Sequence, residues 1–145
     1  MNLKEFKSLT ELLNFLPALI NAIKRKPFVF GKPITVEEFV STVIDMYISG
    51  RALVGGAWRG KDLGCFILAE KQDDGTLLIW YVWSNPRHKK YTIKWLLQGK
   101  RIGASYGYTN AVWYSPYLNR SYRRLMEKLG SRPIRVMYSL NLNEK

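Results

Sequence analysis

The chain reads as an α/β protein, a mixed sheet carrying helices, with elements in the order ααβββαβαβ. Three observations carry this reading. Two helical patterns of apolar residues fill residues 1–50. Three apolar runs joined by tight turns follow, as in an antiparallel meander. Beyond them a helical stretch, a strand, a second helix and a last strand alternate, the arrangement of parallel crossovers.

In the first helical stretch, Leu3 to Lys24, apolar residues recur at Leu9, Leu12, Leu13, Leu16, Leu19, Ile20 and Ile23. Pro17 lies inside it and predicts an end or kink near Phe15 or Leu16, because proline lacks the N–H that the helix ladder needs. Lys24-Arg25-Lys26 suits a helix C-terminus. Pro27 to Pro33 predicts a loop or a short extended piece. Thr35 and Glu38 form a capping box for a second helix that stops at Gly50, with Phe39, Val40, Val43, Ile44 and Tyr47 as its apolar stripe. Ala52–Arg59 and Leu63–Glu70 predict a hairpin about Gly60-Lys61-Asp62. Gln72-Asp-Asp-Gly75 turns the chain into a third strand, Leu77–Ser84, apolar enough to be central. Pro86 ends it. Lys89–Tyr106 is long enough for a crossover helix, although Gly99 and Gly103 weaken the pattern. Ala111–Tyr114 is a strand, Asn119 caps a helix that stops at Gly130, and Ile134–Leu140 is the last strand.

A length of 145 residues and 47% hydrophobic content fit one folded domain, 1–145, with a helical part over 1–50 and a sheet core over 51–142. No apolar run approaches the ~20 residues that span a bilayer. The start, Met-Asn-Leu-Lys-Glu, lacks a secretory pattern. The single cysteine, Cys65, forms no internal disulfide, and with the single histidine, His88, it is too little for a zinc site, so no metal is expected. The expected location is the cytoplasm, or a virus particle assembled there. The net charge of +12 is uneven: residues 1–74 hold 10 Lys/Arg against 9 Asp/Glu, and residues 75–145 hold 13 against 2, which puts +11 on the second half. That field attracts nucleic acid, nucleotide phosphates or an acidic protein surface.

The segment Asn119-Arg-Ser-Tyr-Arg-Arg-Leu-Met-Glu-Lys-Leu-Gly130, set between two strands, resembles the C-terminal half of the GNAT acyl-CoA N-acyltransferase superfamily. That family's pattern is Asn-x-x-Ala-x-x-Leu-Tyr-Glu-Lys-Leu-Gly-Phe. Asn119, Leu125, Glu127, Lys128, Leu129 and Gly130 match it, while Tyr122, Met126 and Ser131 replace Ala, Tyr and Phe. The resemblance covers roughly residues 50–142. It implies a GNAT-like mixed sheet with an altered helical N-terminus, since the family's short first strand has no counterpart ahead of the first helix.

The resemblance also implies a site for acetyl-CoA. The family splays its central strand from the next parallel one, lets the pantetheine arm pair with the exposed backbone, and binds the pyrophosphate at a Gly-rich helix start. Here Val82 and Trp83 would align the arm, and Arg87, His88, Lys89, Lys90, Tyr91 and Thr92 stand at the phosphate loop. Arg87 matches the family; Lys90 and Thr92 replace its small residues, while Lys89 and Lys90 add charge that binds phosphate by side chain. Asn119 either contacts the arm or caps its helix. Met126 has no proton to give, so Tyr122, one turn earlier, is the candidate acid, and Glu70 the candidate base for the amine acceptor.

Aromatic residues from Trp80 to Tyr122 interleave with Lys and Arg, as single-stranded nucleic acid binding requires. Strand alternation would send Trp80, Val82 and Ser84 to one face and Tyr81 and Trp83 to the other. Arg120, Arg123, Arg124 and Lys128 share a helix surface suited to a polyanion. Two functions fit. One is an acyl-CoA-dependent N-acyltransferase with an unidentified amine acceptor. The other is a catalytically silent GNAT-like structural or binding protein, of the kind carried by bacteriophages and their virions, contacting nucleic acid or an acidic partner.

Overall fold

The computed structural model describes residues 2–29, 32–114, 120–130, 132–134 and 137–143. Its elements are β1 Lys4–Glu5, α1 Leu9–Arg25, β2 Phe28–Val29, β3 Lys32–Pro33, α2 Val36–Ile48, β4 Ala52–Arg59, β5 Asp62–Lys71, β6 Thr76–Ser84, a 3-10 helix Pro86–Tyr91, α3 Thr92–Ser105, β7 Asn110–Tyr114, α4 Arg120–Leu129, β8 Arg132–Ile134 and β9 Met137–Asn141.

Both opening helices are capped by side chains. Ser8 Oγ accepts the Glu11 amide at 3.1 Å, and Thr35 Oγ1 accepts that of Glu38 at 3.1 Å while donating to its carboxylate. Of the two outcomes expected at Pro17, an end or a kink, the first does not occur, since α1 runs on to Arg25. The carbonyl that loses its partner belongs to Leu13, an exposed residue on the solvent side, while Leu12, Phe15, Leu19 and Ile23 continue one buried stripe past the proline.

Seven strands form the main sheet in the order β1-β4-β5-β6-β7-β9-β8. All neighbours are antiparallel except β6 and β7, which run parallel with Thr76 to Ile79 opposite Asn110 to Trp113. The hairpin turns after β4 and β5 close on Gly60 and Gly75, both at positive φ. Leu12, Phe15, Phe39, Val43, Phe66 and Tyr81 pack between the sheet and α1/α2. On the opposite face, Leu53, Ala69, Leu77, Ala111, Leu129 and Leu140 pack beneath α3 and α4.

Two features differ from the sequence expectation, and the expected crossover helix forms despite its glycines. The N-terminus is not purely helical: Lys4–Glu5 pairs with Gly56 and Gly55 as an edge strand, so a short first strand does precede α1. Two residues are too few to show a period. The last strand is two, β8 and β9, with Ile134 opposite Met137; Pro133 sits on the sheet edge, where its missing N–H costs no ladder bond. Gly99 and Gly103 do not interrupt α3. They bring it close to the sheet, since a Cβ at Gly103 would lie 2.9 Å from Leu77 and 3.0 Å from Leu142.

Candidate functional site

The parallel pairing of β6 and β7 stops at Ile79, yet β6 runs on to Ser84. At this point β6 also bulges. Leu68 faces Tyr81 and Ala69 faces Ile79, which leaves Trp80 as the extra residue. The bulge resets the alternation expected from sequence: Trp80, partly buried, packs against the core that holds Tyr81 and Trp83 under α1 and α2. Val82 and Ser84 are left on the α3 side.

Past the bulge, the two edges of β6 differ. The Asn85 amide donates to the Gly64 carbonyl at 2.8 Å, which makes that pair hydrogen-bonded. Antiparallel pairs alternate, so Trp83 and Tyr81 spend their backbone groups on β5, while those of Val82 and Ser84 face the gap left by β7. The Val82 carbonyl accepts Lys26 Nζ at 3.0 Å, as this orientation requires. Trp83 thus spends its backbone on β5, while its largely buried indole contributes to the wall of the gap.

The gap opens into a cleft of about 800 Å³ lined by Trp80, Val82, Ser84, Thr92, Trp113 and Leu125, among others. From the α1 end, Arg25 and Lys26 reach it, and Glu5 is its acidic residue. Sequence reasoning missed Lys26 and Glu5. Lys26 was seen only as a helix-end charge, and Glu5 lies on the strand that showed no pattern. Although Lys26 as a residue is exposed, its ammonium is drawn against the sheet, and burial lowers its pKa.

The chain leaves β6 through Asn85, which sequence reasoning also passed over. Its side chain donates to the Leu63 carbonyl at 2.9 Å and accepts the Arg87 amide at 3.0 Å. An Asn before a Pro is a turn signal that marks this role. Ser84 Oγ and Thr92 Oγ1, 2.5 Å apart, tie the end of β6 to the start of α3. The segment expected as a phosphate loop, residues 87–92, is a 3-10 helix leading into α3. Its amides at His88 and Thr92 bond internally to Asn85 and Lys89. Arg87, Lys89 and Lys90 are exposed. His88 Nε2 lies 3.4 Å from Asp62, and its Nδ1 is buried without a partner among the described residues. The Tyr91 ring is taken up by the Arg59 guanidinium at 4.8 Å and by Trp95 at 5.7 Å.

The structure brings together two groups that sequence reasoning kept apart. Lys89 and Lys90 from the 3-10 helix face Arg124 and Lys128 of α4 across a second pocket of about 390 Å³. Leu125 lines both pockets, so the cationic cradle adjoins the cleft. Glu70 is engaged at both oxygens, one accepting from Arg51 at 2.8 Å and the other from the Trp80 indole at 3.2 Å. Asn119 lies outside the described residues. Arg120, Tyr122 and Arg123 belong to α4, but their side chains, like that of Met126, lie outside the description. Of the aromatics considered for base stacking, Tyr81, Trp83 and Trp95 are core. Among the described residues no group of His, Cys, Asp and Glu suits a metal, and no helix is long and apolar enough to cross a membrane.

No protein-family model and no curated protein matches the sequence. Solved structures do match along nearly the whole chain. The ribosomal-protein-S18-alanine N-acetyltransferase from Escherichia coli is 13% identical at a TM-score of 0.72, over 99% of this chain and 94% of that one. An N-acetyltransferase from Staphylococcus aureus Mu50 is 14% identical at 0.74, over 99% and 100%. The PaiA N-acetyltransferase from Thermoplasma acidophilum, in complex with coenzyme A, is 15% identical at 0.69, over 97% and 99%. With its splayed parallel pair and its bulge at the point of splaying, the chain has the fold of the GNAT N-acetyltransferases.

Proposed function

We propose that the chain is an acyl-CoA-dependent N-acyltransferase that binds its donor across the cleft and the cationic cradle. The observation that carries this is the unpaired edge of β6 beside four clustered cations. The Val82 amide and the Ser84 backbone have no partner from β7, the Val82 carbonyl being taken by Lys26, and an amide-bearing arm satisfies such groups. Lys89, Lys90, Arg124 and Lys128 hold the phosphates by side chain, replacing the amide nest that the 3-10 helix uses up. His88, Arg87, Tyr91 and Thr92 shape this helix start, and Asn119, Arg120 and Arg123 are assigned to the same polyanion from the sequence alone. An acyl thioester supplies an activated carbonyl and a good leaving group. The chain needs to orient it, exclude water and manage one proton. Glu70, anchored to the bulged Trp80, is assigned as proton acceptor, and Tyr122 as the donor to the leaving sulfur. The amine enters from the α1/α2 side, where Arg25, Lys26 and Phe28 line the cleft.

A second reading keeps the same cradle for another polyanion. It is favoured by the internally bonded 3-10 helix and by methionine at the family's acid position. In it the chain is a silent relative that binds nucleic acid or an acidic protein. Thermal unfolding with ligands separates the two. Under the first reading, acetyl-CoA raises the melting temperature saturably, and thiol release appears with an amine panel. Under the second, single-stranded DNA raises it, steeply less so with added salt, and acetyl-CoA does nothing.

A further inference from the structure

We infer that Lys26 is itself an acyl acceptor, so that the chain carries a self-acylation site at the α1 end of its cleft. The inference rests on the acyl-CoA reading above and adds a specific nucleophile to it. Lys26 is held from three directions. Its carbonyl accepts the Tyr81 hydroxyl at 3.0 Å, the end of α1 being fixed to the sheet by that residue. Its Nζ donates to the Val82 carbonyl at 3.0 Å, and it lies 5.6 Å from the centre of the Tyr81 ring. Val82 is in the stretch of β6 that β7 leaves unpaired, where the donor's arm is proposed to lie. The amine is therefore held against the unpaired stretch of β6 that lines the cleft rather than free in solvent.

Two further facts fit. Burial lowers the Lys26 pKa, which raises the fraction of free amine that an acyl transfer consumes. Lys24, the other lysine of the helix-end run, is exposed and does not line the cleft. Lys100 also lines the cleft, from α3, and makes the natural comparison. The step balances without another reagent. The Nζ lone pair attacks the thioester carbonyl, a C–N bond forms, the C–S bond breaks, and the proton lost by nitrogen ends on the departing thiolate. The product is an amide at Lys26 and free CoA. Loss of the ammonium's charge also loosens the contact with the Val82 carbonyl, so the modification alters the slot in which it formed.

The test uses the purified full chain with acetyl-CoA, read by intact mass and peptide mass spectrometry, with binding measured in parallel by calorimetry. The expected result is one acetyl group, placed on Lys26 at least ~10-fold faster than on Lys24 or Lys100, because a positioned amine has a high effective concentration. Lys26→Arg keeps the charge and the donor to Val82 but has no nucleophilic amine, and removes the mark; Lys24→Arg leaves it. Binding without modification at Lys26, or acetylation spread evenly over surface lysines, overturns the inference and leaves the acyl-CoA reading standing. Absence of binding overturns both.

Discussion

Gly64 is the residue to perturb first, because α3 and the slot are both positioned against it. Gly64 is the extra residue of a bulge between β4 and β5, where Ala57 faces Cys65 and Trp58 faces Leu63. Trp95 of α3 seats directly over it, fully buried. A Cβ at position 64 would come within 3.0 Å of three ring atoms of Trp95, when ordinary contact begins nearer 3.4 Å. The ring cannot recede, so Gly64→Ala must lift α3 or push β5. Overpacking of this kind costs about 1–3 kcal/mol; three simultaneous overlaps against a buried ring place it near about 3 kcal/mol. For a chain of this size that lowers the melting temperature by about 6–12 °C. Thermal and urea unfolding of Gly64→Ala, Trp95→Leu and the double variant measure it. The double variant is expected to be more stable than the sum of the singles, because removing the ring removes the clash. A Gly64→Ala protein within ~0.5 kcal/mol of the parent, a change typical of surface substitutions, would refute the packing argument.

Four other outcomes follow from the same structure. Asn85→Ala leaves the Leu63 carbonyl and the Arg87 amide without their partners and is expected to cost about 1–3 kcal/mol in urea unfolding, more than an exposed Asn→Ala. Cys65 is fully buried, which pushes its thiol up to about 12, so the folded state holds a proton that the unfolded state releases above pH 9. Stability is therefore flat below that pH and falls by about 1.4 kcal/mol per unit between pH 9 and 12 from this group. Cys65→Ala should flatten that part of the alkaline stability curve. Lys90→Glu and Arg124→Glu are each expected to weaken acetyl-CoA binding about tenfold by calorimetry while leaving the melting temperature of the free protein nearly unchanged, since both side chains are exposed. Thr35→Ala removes the cap of α2 and should cost ~1 kcal/mol in unfolding.

Local chemistry made much of the fold legible. The Thr35 capping box, the two glycine turns and the apolar β6 are encoded within a few residues, and they appear where the sequence places them. What stayed hidden is set by contacts between distant segments. β1 exists because Gly55 and Gly56 offer an edge to it, and two residues carry no period of their own. The bulges at Gly64 and Trp80 have no local signature, yet the second moves Trp80 to the other face of the sheet. Pro17 was overruled by the buried stripe on either side of it. The cationic candidates were found by composition, but only the packing of α4 beside the 3-10 helix shows that Lys89, Lys90, Arg124 and Lys128 form one surface. Lys26 was invisible as a site residue, because its role depends on a carbonyl 56 positions away.

An amide-resolved NMR titration with acetyl-CoA examines the proposed donor slot residue by residue. The account predicts saturable shifts at the amides of Val82 and Ser84, on the unpaired edge of β6, together with residues of the Lys89–Lys90 cradle, while Gly75, in the turn at the opposite end of β6, stays put. Unmoved Val82 and Ser84 at saturating acetyl-CoA, or shifts confined to the cradle, would contradict it.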